Sequence, residues 1–462
     1  MLFRRRIQPS GSALLRPDGF ALHSSAVFFG TYLKAPHASS KRQHPSLQKR
    51  KPTVMTTESP EQIIKAFVEK RLPIYQAAAR DIHAHPETSN HEYFACKRLS
   101  DLLKGEGFEV QVDVAGHPTG FDARFKSGKP GPVLCFLAEY DALVGLGHGC
   151  GHNLFGATSA LAGAALAQAA KLVGGEIRVY GTPGEEGGEN GSAKGSFVRE
   201  GFFKDVDAAL CVHPSSSGHR LTNPSLGCAP VDIEFHGKAS HAASAPEQGI
   251  NALDALIQVY NGINALRQHL PADVRIHGII THGGDAPNIV PEYAAAKFYL
   301  RAATAPVLEE VWKKVERIVE GAALMTGSMK PSQNRVENTI LTPKFDAVYR
   351  RRMEELLAET GSGEKVEDSA EKAGGSSDVG NVSQVIPTIQ PTIRISKVPV
   401  RGHSEEFKAA SCSALGLASI GLGAKALALT GLDLLTDPQL LADIKADHAD
   451  ALVRQAAAAK QH

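Results

Sequence analysis

Little in this chain is cysteine, little is aromatic, and neither charge sign prevails. Among 462 residues there are six cysteines, one tryptophan, 6% aromatic residues and a net charge of +1. Cys96, Cys135, Cys150, Cys211, Cys228 and Cys412 are too scattered for a disulfide framework, which points to a reducing, intracellular compartment. Balanced charge gives no reason to expect nucleic acid or an anionic membrane as partner. No stretch approaches the roughly 20 consecutive apolar residues of a membrane helix, so no membrane partner is expected.

What is present is a globular composition, 42% hydrophobic, long enough for two or three units. The first segment differs. It opens MLFRRR, holds about ten Lys and Arg before Met55, and has Asp18 as its one acid. Residues 1–58 read as a mitochondrial transit peptide, a disordered extension, or sequence upstream of a true start at Met55. The expected location is accordingly cytoplasmic or mitochondrial.

Order begins at Ser59-Pro60, an N-cap followed by Pro at the first helical position. Apolar strands then alternate with helices: 131–142, a helix at 154–172, 175–182 and 207–213. This predicts an α/β fold with a mostly parallel sheet and helices on both faces. Ligands bind beyond the carboxyl ends of such strands. From about 230 the pattern becomes β-α-β-β-α-β, with a fourth strand opening at Arg335, which suits an inserted ferredoxin-like α+β domain. The expected division is catalytic domain over 59–229 and 341–445, lid and dimerisation domain over 230–340, and a tail from 446.

Chemistry-bearing residues sit where the strands end. His148-Gly149-Cys150-Gly151-His152-Asn153 places a thiolate and an imidazole two residues apart across a glycine, a pairing suited to zinc and, for imidazole, other first-row metals. Glu185 and Glu186 follow an apolar strand directly; repulsion between adjacent carboxylates is unusual there and suits one ligand and one general base. His213 and His403 each stand beside a turn residue. Each alone is weak; the combination points to a metal centre. His277 and His282 read as structural.

The stretches AEYDALVGLGHGCGHN, GEEGG, AALCVHP, GKASHAA, GGDAPNIVP, SSDVGNVS and RGHSEEF resemble the dinuclear-metal aminoacylase and carboxypeptidase family, metallopeptidase family M-twenty, subfamily D. The resemblance runs from about 60 to 440, nearest the β-alanyl-lysine-type dipeptidase group, and HAHPETSNHE resembles the same branch. It implies two divalent metals, zinc first and manganese or cobalt as alternatives. Cys150 would bridge them, with His152, Glu186, His213 and His403 completing the set. A hydroxide between the metals would attack an amide carbon, and Glu185 would be the general base. His241, from the partner of a homodimer, would stabilise the oxyanion. Asn288, Arg301 and Asp378 would hold substrate. Lid closure would hinge near 229–231 and 340–345.

The chain departs from the branch at Val144, Gly149 and Asn153, where Pro, Ala and Asp are usual; Asn153 is expected to weaken control of His152. Three functions follow. One is a dipeptidase. A second is an N-acyl-amino-acid hydrolase, including one acting on a specialised metabolite. The third is a non-catalytic binding or regulatory protein on the same scaffold, against which the intact set of ligands and base argues.

Overall fold

The computed structural model describes residues 58–187, 191–327, 336–373 and 375–459. All but one residue of the expected N-terminal extension lies outside them, as do Gly188 and Arg335. Helix α1 (Pro60–Ala84) begins as the sequence predicts, and Ser59 and Gln62 cap each other's backbone N–H in a capping box. Helix α2 (Tyr93–Gly105) leads into strands β1 (Glu109–Val114), β2 (His117–Lys126) and β3 (Val133–Ala138). Helix α3 (His152–Val173), strand β4 (Glu176–Gly181), helix α4 (Ala193–Arg199) and strands β5 (Ala208–Leu210), β6 (His213–Ser215) and β7 (His219–Arg220) follow.

The inserted unit holds β8 (Gly227–His236), α5 (Ala252–Leu266), β9 (Arg275–His282), β10 (Tyr293–Ala302) and α6 (Ala305–Thr326). The chain returns through α7 (Pro343–Thr360), β11 (Val366–Glu367), α8 (Val379–Ser383), β12 (Thr388–Ile389) and β13 (Thr392–Arg394). It ends on α9 (Glu405–Ser411), α10 (Ala414–Thr436) and α11 (Pro438–Ala459). The residues from 446 set down as a tail are therefore the outer part of a helix.

The main sheet has the order β1-β2-β4-β3-β5-β12. Strands β4, β3, β5 and β12 are mutually parallel, and β1 and β2 add an antiparallel edge, so the sheet is mixed. Strand β3 shows why both faces are covered. Leu134, Phe136 and Ala138 pack into the core under α1, α3 and α10, while Cys135 and Leu137 pack into the opposite core with Phe197 and Val379. Helix α10 is long and apolar enough to cross a membrane by length and composition, a feature missed in the sequence; 78% of that window is buried inside the protein.

The inserted sheet is antiparallel, in the order β8-β10-β9. Val231, Ile233 and Phe235 point into its core and alternate with exposed Asp232, Glu234 and His236. Helices α5 and α6 cover that face through Leu256, Val259, Val311 and Val315. The expected fourth strand is, among the described residues, one bridge from Val336 to Cys228. Its place beside β8 keeps the ferredoxin-like order.

Candidate metal centre and active site

Three adjacent parallel strands, β4, β3 and β5, deliver the site from their carboxyl ends. After β3 come Glu139 and Asp141, then the loop to Cys150. Gly151 takes φ 83, a left-handed turn open to glycine, and His152 starts α3. After β4 come Glu185 and Glu186; after β5 comes His213. His403, just before α9, arrives from far along the chain at φ 55, a conformation rare for a residue other than glycine. Its N–H donates to the Gly149 carbonyl at 3.1 Å, which ties it to the Cys150 loop.

The six residues singled out for metal and base converge. Donor atoms of Cys150, His152 and His213 lie within 4.8 Å of one another, as do those of Cys150, Glu186 and His403, and those of His152, Glu185 and Glu186. Cys150 joins the first two groups. The His152 and His213 imidazoles are oriented through Nδ1. His152 donates to the Asp141 carboxylate at 2.9 Å, and His213 donates to the Pro214 carbonyl at 2.7 Å. The Nε2 atoms are thereby left for a ligand role. His403 Nε2 lies 3.5 Å from Glu186 Oε1.

The donor set fits cations. His152 Nε2 and Glu186 Oε1 are buried without a hydrogen-bond partner, His152 Nε2 lying 3.4 Å from Glu139 Oε2. Glu139, Asp141, Glu185, Glu186 and Asp378 crowd together with one lysine among them, Lys194, which is fully buried. Burial, only partly offset by His152, pushes the Cys150 thiol up to about 12, so a thiolate here needs a cation beside it. Burial opposes a charged His152, yet Cys150 and Asp141 outweigh it and hold that ring well above its usual value. His213 is pushed down by burial and by His152, which keeps it neutral. Glu185 is raised well above the carboxylate range by burial, then by Glu139, Glu186 and Asp378. A carboxyl whose proton affinity is raised in this way is a candidate to take and return a proton.

The remaining predicted residues are placed differently. His241 is exposed on the inserted domain and joins none of these groups. Its Nδ1 accepts the backbone N–H of Ala243 and of Ser244, each at 3.2 Å, so the ring proton of the neutral form sits on Nε2. Asn288 is exposed, and its carbonyl accepts from the Ala242 N–H at 3.0 Å. Arg301 is half-buried, bonds Ser376 Oγ at 2.8 Å and lies over the Tyr299 ring. Asp378 is buried and holds Lys194 Nζ at 2.6 Å, while Lys194 also reaches Glu139 at 2.8 Å.

Sequence reasoning misplaced one residue and overlooked two. Asn153 does not govern His152: it points away and donates to the carbonyls of Ala79 and Ser411 at 3.3 and 3.1 Å. That control belongs to Asp141, whose signal was a buried strand running into acids. Lys194 was passed over in a Gly- and Ser-rich stretch.

The geometry can be set against known proteins. Residues 226–325 match the family model described as a peptidase dimerisation domain. The chain is 34% identical to the Xaa-Arg dipeptidase of Homo sapiens, over 80% of this chain and 88% of that one. It belongs to the dinuclear-metal M-twenty peptidase family. A second relative, a p-aminobenzoyl-glutamate hydrolase component of Escherichia coli strain K12, is 39% identical over 54% of this chain and 56% of its own. A dinuclear metal binding peptidase of Bacillus subtilis shares the fold, with TM-score 0.54 and 20% identity, over 80% of this chain and 99% of that one. So does an aminobenzoyl-glutamate utilization protein of Klebsiella pneumoniae, with TM-score 0.60 and 20% identity, over 78% and 98% of the two chains. As a member of this M-twenty family, the chain is a metal-dependent hydrolase of amide bonds.

Proposed function

We propose that this M-twenty hydrolase cleaves the amide bond of a dipeptide ending in a basic residue, with Glu185 as general base. One observation carries the reading: Cys150, His152, Glu186, His213 and His403 converge around a point flanked by a carboxyl, Glu185, whose proton affinity is raised. The first five would hold two divalent ions, zinc in preference to manganese or cobalt because thiolate and imidazole suit it. Bound there, the ions would acidify water and polarise a carbonyl oxygen.

Glu185 takes the proton released in the attack and returns it to the leaving amine. With Nδ1 of His241 accepting two backbone N–H groups, Nε2 is the ring nitrogen left to carry the N–H that an oxyanion donor needs. Its exposure, together with the dimerisation-domain match, supports delivery into a partner's site. Strand β9 is an edge strand with exposed Ile279 and Ile280, a surface suited to pairing with a second copy. The substrate end follows the length of the likeness to the Xaa-Arg dipeptidase. An N-acyl amino acid is the second reading, favoured by the likeness to the p-aminobenzoyl-glutamate hydrolase component. Asn288 and Arg301, the latter suited to a carboxylate, are the proposed contacts for the polar end of either.

The test pairs two variants. Glu185→Gln should lose at least about 100-fold in kcat while retaining its metals. Glu186→Gln should lose metal, read by elemental analysis of the purified protein. Near-normal turnover by Glu185→Gln with metal bound overturns the mechanism. Comparing β-alanyl-lysine and arginine dipeptides with p-aminobenzoyl-glutamate decides the substrate class.

A further inference from the structure

The segment Ser89–Glu92, within HAHPETSNHE, has no part in the chemistry above, yet it holds the turn bearing Glu185 and Glu186 from several directions. Glu92 is fully buried. One of its oxygens accepts the Gly184 N–H at 3.1 Å and the other accepts the Thr119 hydroxyl at 2.7 Å. Asn90 Nδ2 donates to the Gly191 carbonyl at 3.1 Å, and its Oδ1 is held by His117 Nδ1 at 2.5 Å. The Ser89 hydroxyl donates to the Asp141 oxygen that also accepts the Glu186 N–H.

The fit is close. Gly184 takes φ 74, and a Cβ there would stand 2.8 Å from Asn90 Nδ2 and 2.8 Å from the Gly191 carbonyl. Asn90 itself takes φ 66. Holding an asparagine left-handed and burying a carboxylate both cost free energy. Both costs fall on residues that grip this one loop.

We propose that Asn90 and Glu92 are positioning residues for the Glu185–Glu186 turn, gripping it on either side so that two adjacent carboxylates keep separate tasks. The proposal rests on the reading of Glu185 as base and Glu186 as ligand. Gly184 directly precedes the base, so the N–H taken by Glu92 fixes the Pro183–Gly184 peptide, one residue ahead of Glu185. Asp141 does the same for the peptide entering Glu186. Neighbouring carboxylates repel, and Gly184 and Gly187 give the turn freedom to relax by swinging one of them away. A displacement of about 1 Å at a reacting group is enough to cost about 100-fold in rate.

Two variants of the metal-loaded, full-length enzyme test this. Glu92→Gln keeps the size but sets an amide donor against one of the two donors Glu92 now accepts. Asn90→Gly removes the side chain while leaving a left-handed backbone unstrained. Hydrogen exchange in peptides covering Gly184 and Glu186 is expected to accelerate at least about tenfold, the loss of one such hydrogen bond. The value of kcat should fall about 10–100-fold with KM moved less than about threefold, and the unfolding midpoint should shift by no more than a few degrees.

Wild-type exchange and kcat in both variants overturn the proposal. So does a lowered unfolding midpoint with unchanged exchange at the turn. If Glu92→Gln does not accumulate as folded protein, Asn90→Gly decides alone. Glu185→Gln is assayed alongside. Should it retain turnover, the underlying mechanism fails; should it be inactive while both grip variants match wild type, only the grip fails.

Discussion

Asp141 ties His152 to Glu186: one oxygen accepts the His152 ring N–H at 2.9 Å and the other accepts the Glu186 backbone N–H at 2.9 Å. Burial raises this carboxyl, but His152 outweighs burial and holds it down at about 2. It is therefore charged throughout the working range. Two proposed ligands from different strand ends are referenced to one side chain.

Asp141→Asn tests that tie. The amide keeps one acceptor and turns the other position into a donor facing an N–H. Metal affinity should fall about 10–100-fold, as for other partners of ligating histidines. Competition against a chelator measures it. Affinity equal to wild type would remove Asp141 from any ligand-holding role.

The residues proposed as ligands could be picked out in sequence because each stands beside a turn in a segment that follows an apolar strand, and the structure brings their donor atoms together. Their partners were less legible. Asn153 adjoins His152 in sequence, but successive helical residues point about 100° apart, so it faces α1 and the end of α9 instead. Strand β2 went unread because Pro118 and Gly120 break its alternation. Lys194 reads as solvated beside Ser192 and Gly195; only tertiary packing brings Glu139 and Asp378 to it.

Lys194 makes a second prediction. Its side chain is fully buried between the carboxylates of Glu139 and Asp378. Burial disfavours its charge, but Asp378, Glu139 and Glu185 outweigh burial and keep it protonated. Lys194→Met leaves buried negative charge unopposed and should destabilise the fold by about 3–5 kcal/mol, read by urea unfolding. Adding Asp378→Asn should recover part of that loss. Equal stability of Lys194→Met and wild type would show that the triad holds nothing.

The role of His241 is open to complementation. A His241→Ala chain keeps Glu185, and a Glu185→Gln chain keeps His241. If each site borrows His241 from its partner, equal mixing should restore about a quarter of wild-type activity, from one complete site in each mixed dimer. Each variant alone should remain inactive. Absence of recovery in mixed dimers, their formation verified by native mass spectrometry, would assign His241 to its own chain or to no catalytic role.

Asp346 gives a pH dependence of its own. It lies buried on α7, where one carboxylate oxygen accepts the Thr222 N–H at 3.1 Å and the Thr222 hydroxyl at 2.6 Å. Burial, only partly offset by those bonds, raises its pKa from 3.8 to about 6. Between those values the folded chain holds a proton that the unfolded chain has released. Stability from this group is therefore full at pH below about 4 and is lost as pH rises through about 6, on the order of 3 kcal/mol for a shift of this size. In Asp346→Asn the amide oxygen still accepts both Thr222 bonds and no charge is buried. That variant should unfold at higher denaturant than wild type at pH 8 and at about the same denaturant at pH 4. The Thr222 bonds favour the charged form and burial the neutral one, so the sign of the difference at pH 8 reports which prevails. A less stable Asp346→Asn at pH 8 would mean that the ionised carboxylate is the better acceptor and that burial does not dominate here.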